Sequence, residues 1–129
     1  MTSQQAWAKY NEYKELYQKA NVVKEALTGI KGVMEQSDTF FEMAKNEIGS
    51  CYEAVNSANI VLASFNQYYE VLSNNKKTID DAMTNISDYK GDVSTAISKV
   101  DEDLETYQSR CKYYYDLFYE LVEKESGGN

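Results

Sequence analysis

Cys51 and Cys111 are the strongest candidates for a nucleophile in this sequence. A cysteine becomes a nucleophile when a neighbouring base or cation favours its thiolate, and histidine most often has this role. The sequence contains no histidine, which also removes the commonest general base and transition-metal ligand. We therefore expect both cysteines to be small, buried, unpaired hydrophobic residues, and we expect no catalysis.

A run of carboxylates is the second feature that could hold a ligand. The segment VDEDLE at 100–105 contains Asp101, Glu102, Asp103 and Glu105. It lacks the spacing and the central glycine of a calcium-binding loop, and a di-metal helical bundle would pair such acids with histidine. We interpret the run as a solvated helix face and predict no metal or cofactor.

Composition excludes several classes of function. The chain has 129 residues and a net charge of −8, and residues 101–129 alone carry eight acids and three bases. An acidic surface is unsuited to nucleic acid, which binds clustered Lys and Arg. No apolar stretch approaches the roughly 20 residues that a membrane span needs, and no Sec-type signal peptide is visible. We expect a cytoplasmic protein, or one co-exported by a pathway that accepts folded chains.

A heptad repeat runs through most of the chain and predicts helices that pack at shallow angles. Steps of three and four residues from Leu27 to Leu121 visit 28 positions, of which 25 are apolar or aromatic. We call these positions the seam; its polar members are Ser37, Lys76 and Lys90. The chain contains no proline that would break a helix. The predicted fold class is therefore all-α with coiled-coil-like packing.

Polar interruptions of the seam predict where the chain turns. SNNKKTID at 73–80 is the best candidate, with Thr78 and Asp81 typical of a helix N-terminus. Thr39 and Glu42 fit a capping box after Ser37. The predicted helices are about 3–36, 39–72 and 78–124, in a single domain of residues 1–125 with a flexible tail at 126–129. The alternatives are an elongated antiparallel hairpin, if the first break is only a kink, or a three-helix bundle.

Tyrosine is in excess, and much of the excess lies outside the seam. The chain has twelve tyrosines. Near the C-terminus, YYYDLFYELVE is apolar on more than one face, and Ile60 and Val61 extend the apolar surface of the second predicted helix. Either a third helix of the same chain covers this surface or a second polypeptide does; Tyr-rich surfaces suit such interfaces. The predicted partner-binding residues are Tyr113, Tyr115, Leu117, Phe118, Tyr119, Val122, Ile60 and Val61.

The chain resembles the helical-hairpin proteins of the type VII (ESX-like) secretion pathway. The resemblance rests on a small, acidic, all-helical chain without a signal peptide that ends in YELVE and a polar tail. It is nearest to the small helical partners of LXG toxins. In that group a Tyr-x-x-x-Asp/Glu element serves as an export signal, and Tyr119 with Glu123 matches it. The Trp-x-Gly turn of the best-known hairpins is missing, since Trp7 is followed by Ala8 and Lys9.

The resemblance implies a non-catalytic binding factor that accompanies a toxin. Its partners would be the helical N-terminal region of the toxin and the secretion machinery. Two other functions remain as alternatives. One is a structural coiled coil that associates with itself, forming a homo-oligomer. The other is an acidic helical chaperone or immunity protein that masks a basic toxin.

Overall fold

Two long helices make up the computed structural model. It describes residues 1–57 and 63–127, with side chains outside 55–66 and 68–69. Helix α1 spans Ser3–Ser57 and helix α2 spans Ala63–Gly127. The two pack against each other as a helical hairpin, and the described residues include no strand. The predicted all-α hairpin is therefore confirmed, whereas the three-helix alternative does not describe this chain.

The seam is the face through which the helices pack. Side-chain burial is described for 23 seam residues, and 20 of them are buried or half-buried. The exceptions are Ile30, Cys51 and Lys76, which are exposed. A helix that repeats its apolar residues every seven positions keeps one stripe facing its partner, which explains the agreement. The expectation that Cys51 is buried is wrong, because Cys51 is exposed. Cys111, also expected to be buried, is half-buried.

A capping box begins α1. The Gln5 backbone N–H donates to Thr2 Oγ1 at 3.2 Å, and the Thr2 N–H donates to Gln5 Oε1 at 2.9 Å. Each side chain thus satisfies a backbone donor that the first helical turn leaves free. The capping box predicted at Thr39 and Glu42 is wrong, because both residues lie inside α1.

The predicted helix breaks at residues 37–38 and 73–77 are wrong, because both segments are helical. The threonines that directly follow these segments bond back to the preceding turn instead of capping a new helix. Thr39 Oγ1 donates to the Glu35 carbonyl at 3.3 Å, and Thr78 Oγ1 donates to the Asn74 carbonyl at 3.0 Å. Serine and threonine make such bonds in helix interiors at little cost. The predicted tail also starts too early, since α2 continues through Gly127.

Contacts divide the chain into two compact units. Unit 1 comprises Met1–Gly29 and Ser94–Asn129, and unit 2 comprises Ile30–Val93. Within unit 1, Lys24 pairs with Asp101 at 2.6 Å. Within unit 2, Lys45 pairs with Asp80 at 3.1 Å. The residue numbers of each pair sum to 125, not to the 150 that the predicted turn near residue 75 requires, so the helix register that this turn implies is wrong.

Candidate partner-binding surface

Aromatic side chains from both helices meet in unit 1. Trp7 of α1 lies 4.8 Å from Phe118 of α2 and 4.9 Å from Tyr10, measured between ring centroids. Tyr10 in turn lies 5.6 Å from Tyr115. The rings are tilted against one another, an arrangement that aromatic pairs favour because of their quadrupoles. We call this set, together with Tyr119, the aromatic end.

Tyr119 joins the aromatic end from the outer side of α2. Its ring makes edge contacts with Tyr115 at 4.9 Å and with Phe118 at 5.1 Å. The Tyr115 hydroxyl donates to the Tyr119 hydroxyl at 3.5 Å, and this hydrogen bond is the main reason why the pKa of Tyr115 is raised. The Tyr115 phenol is therefore neutral near pH 7 and can donate or accept hydrogen bonds.

A second group of tyrosine rings in unit 1 comprises Tyr13, Tyr107, Tyr113 and Tyr114. Tyr13 stacks on Tyr114 with centroids 5.7 Å apart and planes at 10°, and it also contacts Tyr107 at 6.3 Å. Tyr113 meets the edge of Tyr114 at 5.0 Å. These rings link the helices through large, stiff side chains, which is how a two-helix interface gains packing without a wide core.

Hydrogen bonds connect the helix ends next to these rings. The Ser3 backbone N–H donates to Glu125 Oε1 at 2.9 Å, and Ser3 Oγ donates to the other carboxylate oxygen at 2.5 Å. These two bonds lower the pKa of Glu125, because they favour its charged form. They place the start of α1 beside the end of α2.

The predicted partner-binding residues of α2 differ in exposure. Tyr113, Tyr115 and Tyr119 are 56%, 40% and 50% exposed. Leu117, Phe118 and Val122 are half-buried, so they support the hairpin as well as any external contact. Ile60 and Val61 lie outside the described residues. The predicted export pair, Tyr119 and Glu123, is exposed and lies one helical turn apart on α2.

Trp7 and Tyr10 are the residues of the aromatic end that the sequence analysis missed. Trp7 is the only tryptophan of the chain, and it is partly exposed. A register in which residue numbers sum to about 125 would have placed it opposite Phe118. The aromatic pattern alone could not select that register, because Tyr is frequent along both helices.

The chemistry available in the described residues is limited. Both cysteines are free, and burial raises the pKa of Cys111, which disfavours its thiolate. No group of three Cys, Asp or Glu side chains comes together among the residues that the structure describes. Within that same part of the chain, no helix is long and apolar enough to cross a membrane.

Comparison with protein-family models, with curated proteins and with solved structures gives no match for this chain.

Proposed function

We propose that this chain is a non-catalytic helical protein-binding factor that accompanies a toxin exported by a type VII-like secretion system. The toxin's helical N-terminal region would pack beside the hairpin, and the aromatic end of unit 1 would be a main contact. The family resemblance motivates the toxin and the secretion system. The hairpin fold supports the proposal, because it is the architecture that this resemblance implies.

The observation that carries the proposal is how little the chain buries. Among the described side chains, only two hydrophobic residues, Ala6 and Leu104, are buried. The accessible surface is 9563 Å², whereas a compact globular protein of 14.8 kDa exposes about 7,000 Å². The excess of roughly 2,600 Å² is larger than the ~800 Å² that each partner contributes to a protein interface of standard size. A second polypeptide would cover part of it.

The aromatic end has the chemistry of a protein interface. Tyr and Trp combine a large apolar ring with a polar group, so they tolerate solvent in the free protein and gain from burial on binding. Tyr119 also belongs to the proposed export element with Glu123. One surface would then serve recognition by the toxin and recognition by the secretion machinery.

Co-purification with a toxin tests the proposal. The tagged chain is co-expressed with the helical N-terminal region of an LXG toxin encoded in the same genome, and the complex is quantified after gel filtration. We expect a stoichiometric complex that Tyr119→Asp weakens. Tyr119 is preferable to Phe118 for this substitution, because half-buried Phe118 contacts Trp7 and its loss would disturb the hairpin itself.

Ser109→Asp is the matched control. Ser109 is exposed on α2 in unit 1, and its replacement adds the same charge two helical turns or more from Tyr119. Equal complex formation by the two variants would contradict the aromatic end as a contact. A stable homodimer that does not bind the toxin would favour the self-associating alternative. A complex whose affinity falls steeply with salt concentration would favour the acidic chaperone.

A further inference from the structure

Unit 2 has a polar flank and an apolar flank on opposite sides of its seam. Lys45 and Asp80, which form an ion pair, each directly follow a seam residue, Ala44 and Ile79. Successive residues of a helix are rotated by about 100°, so residues that follow the seam and residues that precede it lie on opposite sides. Because Lys45 and Asp80 meet across the helices, the residues that precede the seam in α1 and in α2 share the other side.

The flank that precedes the seam is apolar and open to solvent. It contains Val33 and Phe40 from α1 and Ala82 and Tyr89 from α2, with Met43 one turn beyond Phe40. We call these five residues the apolar flank. Its four larger side chains are between 60% and 73% exposed, the highest value being that of Phe40. A heptad seam accounts for none of them, since all five lie outside it.

Charges around the apolar flank are negative. The exposed acid Glu47 continues the row of Val33 and Phe40 on α1, and Asp92 lies one turn after Tyr89 on α2. Gln36 of α1 and Asn85 of α2 also directly precede seam residues, and both are uncharged. No Lys or Arg directly precedes a seam residue between Val33 and Glu47 or between Ala82 and Asp92. None of the ion pairs between described residues involves Glu47 or Asp92, so both carboxylates are available to a partner.

We propose that the apolar flank of unit 2 binds one amphipathic helix of another protein, whose apolar stripe is bordered by Lys or Arg. The apolar stripe would cover Val33, Phe40 and Tyr89, and the basic side chains would pair with Glu47 and Asp92. A second copy of this chain is a poor occupant, because pairing through this flank would bring these acids together in two molecules of net charge −8 each. This surface differs from the aromatic end and extends the proposed function to a second contact.

Two synthetic peptides probe the flank directly. Both are amphipathic helices with the same Leu and Ile stripe; one has Lys at the bordering positions and the other has Glu. Fluorescence anisotropy of the labelled peptides is measured with the purified full chain. We expect the Lys-bordered peptide to bind and the Glu-bordered peptide to bind at least about tenfold more weakly.

Phe40→Asp separates binding at the flank from general attraction between a basic peptide and an acidic protein. We expect it to weaken binding about tenfold or more, as loss of a central apolar contact does. The matched control is Thr39→Asp, which adds the same charge at an exposed neighbouring position of α1 that lies off the flank. Because both variants gain a negative charge, non-specific attraction would strengthen equally in both. Met43→Asp provides a second, independent loss of apolar surface.

Several results would overturn the proposal. These are equal binding by the Phe40 and Thr39 variants, equal binding of the two peptides, or no binding of the Lys-bordered peptide. A wild-type homodimer in sedimentation equilibrium that Phe40→Asp dissociates would assign the flank to a second copy and would also overturn it. Tyr119→Asp should bind the peptide as the wild type does, so this proposal and the proposed function can fail separately.

Discussion

Trp7 provides the clearest single-residue test of the packing in unit 1. Its ring contacts both Tyr10 and Phe118 and is 39% exposed, so its removal deletes two ring contacts. Replacing a fully buried tryptophan by alanine costs about 3–5 kcal/mol; for this partly exposed ring we expect Trp7→Ala to cost about 2 kcal/mol. Urea unfolding followed by circular dichroism measures the loss, as a lower midpoint with a similar slope.

Val22→Ala is the control for Trp7→Ala. Val22 belongs to the same helix and the same unit, but it is among the more exposed aliphatic side chains. Its truncation should change the free energy of unfolding by less than about 0.5 kcal/mol. If Trp7→Ala were equally harmless, the ring contacts with Phe118 would contribute nothing to the stability of the hairpin.

Part of the aromatic end could be predicted from the sequence. Tyr115 and Tyr119 lie outside the seam, and a helix with one buried stripe must leave such positions exposed, as the structure finds. The partners of Phe118 could not be predicted in the same way. Which residue of α1 faces Phe118 depends on the register of the hairpin, and neighbouring residues of one helix do not determine that register.

The register was mispredicted because the seam repeats every seven residues and fits several alignments of α1 with α2 equally well. Ser73, Asn74 and Asn75 have turn-forming side chains, yet they are helical, because the packing of a long helix overrides weak local preferences. Ion pairs between the helices distinguish one register from the others. Lys24 with Asp101 and Lys45 with Asp80 fit the observed alignment, and this is the signal that a sequence analysis could have used.

Asp38 and Lys90 form the ion pair between the helices that is best shielded from solvent. Their charged atoms are 2.6 Å apart, and the side chains are 29% and 30% exposed. Lys90 occupies a seam position, so its ammonium group needs a partner near the packed face. We expect Asp38→Asn to lower the free energy of unfolding at pH 7 more than Glu15→Gln does, measured by urea denaturation.

Glu15 is a suitable control because its pair with Lys19 is exposed and lies within one helix. The pH dependence gives a second check. The hydrogen bond to Asp38 raises the pKa of Lys90 above its usual 10.5, so the stabilisation is complete below the unfolded-state pKa and is lost as the pH rises through the folded-state pKa. The difference between wild type and Asp38→Asn should therefore shrink above about pH 10.5. A difference that persists there would contradict the ion pair as its cause.

At the scale of the whole molecule, the described residues obtain their stability mainly from contacts between the two helices, since few hydrophobic side chains among them are buried. The two buried hydrophobic residues among those described, Ala6 and Leu104, both belong to unit 1. The described ring contacts belong to the same unit, whereas unit 2 has the open apolar flank and Lys90 in its seam. Local stability follows buried apolar contact, so the two units should differ in how readily they open.

Hydrogen–deuterium exchange of the isolated chain measures this difference. We expect slow exchange of amides near Ala6 and Leu104 in unit 1 and faster exchange around Val33, Phe40 and Tyr89 in unit 2, because unit 2 opens at a lower free-energy cost. The Lys-bordered peptide should slow exchange in unit 2, since a ligand that binds only the closed form stabilises it by RT ln(1 + [L]/Kd). Equal protection of both units in the free chain would contradict the assignment of stability to the aromatic packing. Peptide-induced protection confined to unit 1 would instead locate its binding at the aromatic end.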